Sequence, residues 1–224
     1  MRQTYISGID TLAVGFNVDE FDLTEDEWAY LADAKANAQG SMFDSGGSPV
    51  ILRGHKFSMS AKGAHGYDYV LLNDDLRVQV AARATGGSAF PEVFVTWRSH
   101  YLWRYSWEAA FAHVEKWLRQ WAVWTPKIAD TGEIAPDHIV SRVDLCLDVA
   151  MPIPEIRMML GEVVSYARKN THHGIAYQEH MVGNKPTGYT FGKGDLVCRI
   201  YDKLAEIKRS DKVWFLDMYR DRGW

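Results

Sequence analysis

The stretch Arg142-Val143-Asp144-Leu145-Cys146-Leu147-Asp148-Val149 alternates polar and apolar residues without a break. A period of two marks a β-strand, whose successive side chains point to opposite faces. Val143, Leu145, Leu147 and Val149 therefore share one face, and Arg142, Asp144, Cys146 and Asp148 the other. Two carboxylates and a guanidinium on a strand that reads as central in its sheet are costly unless they pair or hold a ligand. The plain alternative is an Arg142–Asp144 salt bridge on a solvated face. The functional alternative is a hard divalent cation, which takes carboxylate oxygens at about 2.0–2.6 Å. Asp144 and Asp148 stand roughly 13 Å apart along such a strand, so one ion takes at most one of them directly.

The rest of the chain sets this strand in an α+β protein, mainly antiparallel sheet with helices packed on one face, divided into two β–α halves, 1–128 and 129–224. Residues 4–18 read as a strand. Thr24 followed three residues later by Glu27 has capping-box spacing, and opens a helix that runs to about Gln39. Strands follow at 50–60, 67–83 with a turn at Asn73-Asp74, and 92–105. A helix over 106–122 carries Ala110, Phe111, Val114, Trp117, Leu118 and Trp121 at the spacing of a core-facing stripe. The second half reads as a strand at 139–149, a helix at 154–168 opened by Pro154, strands near 173–181, 187–191 and 195–201, and a helical end over 202–222.

Composition narrows the function. The 224 residues are 47% hydrophobic and 24% charged, which is globular rather than disordered. No run of about 18 apolar residues is present to span a membrane, and the N-terminus lacks the apolar core of a secretory leader. Two cysteines make neither a disulfide framework nor a zinc site; buried thiols and a cytoplasmic location are expected. The net charge of −4 argues against bulk coating of nucleic acid, although residues 1–48 hold nine acidic side chains against two basic ones and leave the remainder mildly basic.

Three further segments carry candidate chemistry. In Leu196–Lys203 (LVCRIYDK), alternation aligns Arg199, Tyr201 and Lys203. Flanking cations favour the phenolate of an attacking tyrosine, and equally hold a phosphate. Asp10 shares a face with Leu12, Val14 and Phe16, as a turn or cap residue or as a ligand. On the 92–105 segment, alternation groups Trp97, Tyr101, Trp103 and Tyr105 against Arg98, His100 and Arg104, which suits base stacking or, more plainly, packing beneath the 106–122 helix. A paired-histidine metal site is not indicated, because His172 and His173 are adjacent and His180 is isolated.

Taken in order, Arg142-x-Asp144-x-Cys146-x-Asp148, then Thr187-Gly188-Tyr189-Thr190-Phe191-Gly192, then Arg199-Ile200-Tyr201-Asp202-Lys203-x-x-Glu206 resemble the replication initiation factor family. That family comprises rolling-circle initiators of plasmids and phages and related relaxases of mobile elements. The opening Ile9-Asp10-Thr11-Leu12 is similar to its first strand. The resemblance implies a site-specific nicking endonuclease that forms a 5′-phosphotyrosine link and releases a 3′ hydroxyl. It implies Tyr201 as nucleophile, Arg199 and Lys203 neutralising the phosphate, and Mg²⁺ or Mn²⁺ held by Asp10 with Asp144 or Asp148. It implies Arg142 orienting a carboxylate or contacting DNA, and Arg98, Arg104 and Lys193 are further candidate DNA contacts. The residues leave Tyr189 open as a competing nucleophile. The implied partners are an origin, in single-stranded or hairpin form, and a host helicase or polymerase. Family members carry a further Arg/Glu-containing strand beyond the R-I-Y-D-K segment. The chain reaches Trp224 before one, and so reads as truncated at its C-terminus. A non-catalytic DNA-binding or regulatory protein on the same fold is the alternative, followed by an unrelated α+β protein whose polar strand faces are only salt-bridged.

Overall fold

The computed structural model describes residues 5–40, 47–64, 66–82, 91–124, 127–128, 134–135, 137–150 and 177–223. They form an α+β fold of mainly antiparallel strands, grouped in two compact units: residues 7–146, and residues 1–6 with 147–224. The helix expected at 154–168 lies outside the described residues.

The larger unit is organised by a seven-stranded sheet. Its strands are β1 (Tyr5–Phe16), β3 (Ser48–Leu52), β4 (His55–Met59), β5 (Tyr69–Leu72), β6 (Leu76–Val80), β7 (Val93–Trp97) and β11 (His138–Val149), in the order β11-β1-β7-β6-β5-β4-β3. Strands β3 to β7 form an antiparallel meander, and β1 adds to β7 with Leu12 opposite Trp97. Two short pairs complete the strands: β2 (Glu20–Phe21) with β8 (Ala122–Val123), and β9 (Lys127–Ile128) with β10 (Ile134–Ala135). The strand expected over 50–60 is a hairpin, turned by Arg53 and Gly54, both at positive φ. That pair of left-handed residues suits the right-handed twist of a two-residue hairpin.

Helices α1 (Glu25–Gly40), α2 (Ser99–Arg104) and α3 (Trp107–Leu118) cover one face of the sheet. Leu12, Val14 and Phe16 of β1 join Val78, Val95 and Trp97, Leu31 of α1, and Val114 and Trp117 of α3 in one core. The capping box that opens α1 is formed, with Thr24 N–H donating to Glu27 Oε2 at 2.8 Å and Glu27 N–H to Thr24 Oγ1 at 3.2 Å. Trp97 packs beneath α3 and donates its indole N–H to the Ala110 carbonyl at 3.1 Å.

One element corrects the sequence reading. The strand expected over 92–105 ends at Trp97, and residues 99–104 are helical. Aromatic residues favour strands, and six residues are too few to display a helical period. Burial of Ser99, Tyr101 and Leu102 against the core decides the local structure instead. The alternation that opposed Trp97, Tyr101, Trp103 and Tyr105 to Arg98, His100 and Arg104 does not survive this change.

The smaller unit holds an antiparallel three-stranded sheet, β12 (Tyr177–Val182), β13 (Lys185–Lys193) and β14 (Leu196–Tyr201), followed by α4 (Lys203–Ser210) and α5 (Trp214–Asp221). The helical end expected over 202–222 is thus two helices, divided where Asp211 takes a left-handed φ of 55°. Among the described residues, no helix is long and apolar enough to cross a membrane.

Candidate functional site

The polar face of β11 organises the site in the larger unit. Among the described residues, strand β11 ends the sheet order beside β1, so it is the outer strand of that set and not the central one its sequence suggests. Two contacts fix how it meets β1. Asn17 N–H donates to the Asp137 carbonyl at 2.8 Å, and Cys146 Sγ to the Gly8 carbonyl at 3.3 Å. Going from the first contact to the second descends one strand by as many residues as it ascends the other. The strands are therefore antiparallel, and Asp10 stands across from Asp144.

Arg142 and Asp144 form the expected salt bridge, and it is bidentate. Arg142 Nε donates to Asp144 Oδ1 at 2.8 Å and its terminal nitrogen to Oδ2 at 2.5 Å. The hydrogen bonds and charge of Asp144, with a further contribution from Asp10, hold the Arg142 guanidinium above its ordinary range. Asp10 lies within strand β1, neither at a turn nor at a cap, on the face of Leu12, Val14 and Phe16. Its Oδ1 is buried and accepts no hydrogen bond. A bare buried carboxylate oxygen is unfavourable as it stands. It fits a cation or a donor from a ligand. Beside it, Trp103 of α2 lies against Gly8, where an added Cβ would sit 2.9 Å from the indole.

The alternation of β11 is present, but its burial is the reverse of a core strand. Asp144, Cys146 and Asp148 are half-buried, while Leu145 is 78% exposed and Val143, Leu147 and Val149 are exposed with it. The carboxylates therefore do not lie on a freely solvated face. Arg98 and Arg104 are both exposed; Arg98 precedes α2, and Arg104 lies over the ring of its neighbour Tyr105 at 5.4 Å. His100 is committed to Asp75 at 3.2 Å.

In the smaller unit, Tyr201 ends β14 and is 40% exposed. Gly188 stands across from it, and a Cβ there would meet the Ile200 carbonyl oxygen at 2.7 Å and the Tyr201 Cβ at 2.8 Å, so the close approach of β13 requires glycine. Tyr189 is 1% exposed and donates to Glu179 Oε1 at 3.3 Å. Its hydroxyl is therefore not presented to solvent, whereas that of Tyr201 lies on a part-exposed residue. Arg199 is exposed. The side chain of Lys193 lies outside the described residues.

Lys203 does not continue the face of Arg199 and Tyr201. Asp202 caps α4 by accepting from the Leu204 and Ala205 N–H groups at 2.9 and 3.0 Å, which ends the strand and makes Lys203 the first helical residue. Its side chain is 16% exposed. The ammonium pairs with Glu206 at 3.0 Å and sits 3.7 Å from the Phe215 ring centre and 5.7 Å from that of Tyr201. Lys212 also pairs with Glu206, at 3.2 Å. Burial works to raise the Glu206 carboxyl, but the hydrogen bond and charge of Lys203, then of Lys212, outweigh it and hold the group below its ordinary range. The Lys203 ammonium thus acts on the Tyr201 ring only through its field, while Arg199 is exposed to solvent.

Asp148 has a partner that the sequence did not suggest. Tyr219 of α5, which is buried, donates its hydroxyl to Asp148 Oδ2 at 2.6 Å. The only local signal at Tyr219 is its helical spacing from Phe215; the partner lies 71 residues away. The cysteine expectation needs correction too: Cys146 is half-buried, and Cys198, on a strand with both faces open, is exposed.

The donor set accommodates a small hard cation on limited terms. Among the described residues, no group of three or more His, Cys, Asp or Glu side chains gathers. Mg²⁺ is commonly held by one or two carboxylates, with water and substrate phosphate completing its shell, and the Asp10–Asp144 pair meets that pattern. The structure thus brings Asp10 together with Asp144, whereas Asp148 belongs to Tyr219. No family profile matches the chain, and no curated protein or solved structure matches it.

Proposed function

We propose that this chain is a replication initiator or relaxase that nicks one DNA strand by metal-dependent tyrosine transesterification. The observation that carries the reading is the bare, buried Oδ1 of Asp10 opposite Asp144, a pairing that calls for a cation. Asp10 and Asp144 would hold Mg²⁺ or Mn²⁺, which when bound polarises phosphoryl oxygens.

The chain's own residues supply the rest. The Tyr201 hydroxyl loses its proton to solvent water, which returns one to the departing 3′ oxygen, and attacks phosphorus; the Tyr201 Oη–P bond forms as the P–O3′ bond breaks. The 5′ phosphate stays on Tyr201, and the departing 3′ oxygen takes up a proton to become a hydroxyl. Arg199, exposed two residues before Tyr201, neutralises phosphate charge. The Lys203 ammonium, locked by Glu206, favours the developing phenolate. Arg98, Arg104 and Arg142 contact the DNA backbone. The bidentate Arg142–Asp144 pair favours a second reading, a non-catalytic DNA-binding or regulatory protein on the same fold.

A covalent-adduct assay separates the two. The protein is incubated with a diverse labelled single-stranded DNA pool and Mg²⁺ or Mn²⁺, beside Tyr201→Phe, and run on a denaturing gel. An adduct that needs metal and disappears in Tyr201→Phe is the expected result. DNA binding without any adduct supports the non-catalytic reading, and an adduct that persists in Tyr201→Phe overturns the assignment of the nucleophile.

A further inference from the structure

We propose that His180 is the general base for Tyr201: the proton that the phenol passes to water goes on to the His180 imidazole, and the imidazolium returns one, again through water, to the departing 3′ oxygen. The inference rests on the nicking reading above and names the group that moves its proton.

The register of the three-stranded sheet carries it. His180 of β12 stands opposite Gly188 of β13, and Gly188 stands opposite Tyr201 of β14. The three residues form one row across the sheet, and two observations put their side chains on one face. A Cβ at Gly188 would sit 2.8 Å from that of Tyr201, and His180 Nε2 meets the Thr190 hydroxyl at 2.8 Å. Side chains alternate along a strand, so Gly188 and Thr190 share a face. Glycine at the middle of the row contributes no side chain between the imidazole and the phenol. The two outer strands stand roughly 9.6 Å apart at about 4.8 Å per strand, a gap that two rings and one water span. A general base acts within hydrogen-bond reach of its proton or through one water.

A nucleophile, a base and a third group that orients the base form the usual unit of an activated nucleophile. Thr190 is that third group. With its proton on Nε2 the ring donates to Thr190 Oγ1 and presents Nδ1 as the acceptor, while the Thr187 hydroxyl donates to the His180 carbonyl at 3.1 Å and holds the backbone. His180 is exposed and Tyr201 is 40% exposed, so water reaches both, whatever else Tyr201 touches. Arg199 of β14, opposite Thr190, shares this face. Lys203 lies 5.7 Å from the Tyr201 ring centre and is paired with Glu206, and Glu179 is turned to the other face, where it accepts from Tyr189. His180 is isolated in the sequence and becomes a neighbour of Tyr201 only through the register.

The test follows the rate of adduct formation on a labelled single-stranded DNA pool with Mg²⁺, from pH 5.5 to 8, with DNA affinity measured alongside. The wild-type rate should rise with pH and level off, because histidine is the side chain that loses its charge between about pH 5 and 8. His180→Gln, whose amide can still reach Thr190, should bind DNA as wild type does, react about a hundredfold more slowly and show no plateau. Thr190→Val should fall between the two. Added imidazole should restore much of the rate to His180→Ala, which a merely structural role would not allow. If His180→Gln matches wild type in rate and pH profile, the base is overturned while the nicking reading stands. If His180→Gln is slow but keeps the wild-type plateau, and imidazole restores nothing to His180→Ala, the residue is structural and the base is overturned as well. If wild type binds the DNA and forms no adduct at any pH, the nicking reading falls and the base with it.

Discussion

Glutamate 27 does two jobs, and a single substitution separates them. Its carboxylate completes the capping box with Thr24, and it also pairs with Arg53, whose Nε stands 2.9 Å from Oε1 and whose terminal nitrogen is 3.0 Å from Oε2. Arg53 further reaches the Asp22 carboxylate and the Asp22 and Gln120 carbonyls, so it ties the β3–β4 hairpin to the start of α1 and the end of α3. The hydrogen bond from Arg53, working against burial and helped by Thr24, lowers the Glu27 carboxyl from 4.5 to about 2. Glu27→Gln keeps a side chain able to close a capping box but removes the charge. At about 1.4 kcal/mol per pKa unit the limit of the effect is roughly 3 kcal/mol, and screening at a site partly open to water reduces it to about 1–2 kcal/mol. The sign follows from the lowered folded-state value. The stabilisation is complete above the unfolded pKa near 4.5 and is lost as pH falls from there towards 2. Urea unfolding of wild type and Glu27→Gln at pH 7, 4 and 3, followed by tryptophan fluorescence, measures it. Seven of the nine tryptophans lie in residues 7–146, so the signal reports the larger unit. The gap between the two proteins should be widest at pH 7 and shrink steadily on acidification. A gap that is the same at pH 7 and pH 3 would refute the ion-pair account, and so would no gap at pH 7.

Two other substitutions probe the smaller unit. Tyr219→Phe keeps the packing against Phe215 but removes the donor to Asp148. Hydrogen bonds to charged groups are worth about 1.5–3 kcal/mol, so helix-region circular dichroism in urea should show a loss of that order, and an unchanged midpoint would show that the hydroxyl contributes nothing. Glu206→Gln leaves Lys203 and Lys212 facing each other without their shared anion. Breaking a fully buried pair from one side costs about 3–5 kcal/mol; these groups are part-buried and Lys212 is more open, so a loss of about 1–3 kcal/mol is expected. Calorimetry should show a lowered transition for this unit and proteolysis should cleave it sooner, and a transition within a degree of wild type would count against the triad.

Much of the fold was legible because its signals were local. The capping box at Thr24 and Glu27, the stripe through Ala110, Val114, Trp117 and Leu118, and the alternation of residues 142–149 each lie within one element, and each element formed. The misreadings arose where a distant contact outweighed local preference. Residues 99–104 are rich in strand-forming aromatics, yet burial of Tyr101 and Leu102 coils them into a helix. Lys203 continued the parity of Arg199 and Tyr201 on paper, but Asp202 offered a better use for its carboxylate as a helix cap, and the chain turned one residue too early for the three to align.

The candidate site shows the same division at finer grain. Periodicity placed Asp144 and Asp148 on one face, and no local rule could choose between them. Register chooses: only a strand lying antiparallel beside β1 brings one of the two, Asp144, opposite Asp10. The other is claimed by a phenol 71 residues away. Two chemically identical residues on one face therefore have different neighbours and different work. Asp144 pairs with an exposed guanidinium and stands opposite an acid whose Oδ1 accepts no hydrogen bond. Asp148 accepts from the hydroxyl of a buried ring, and exchange there would require α5 to give up packing around Phe215 and Tyr219. A carboxylate beside a bare acid oxygen suits ligand binding and one held by a buried phenol suits architecture, so under the metal-dependent reading substitutions at Asp144 should act on Mn²⁺ affinity and substitutions at Asp148 on the stability of the smaller unit.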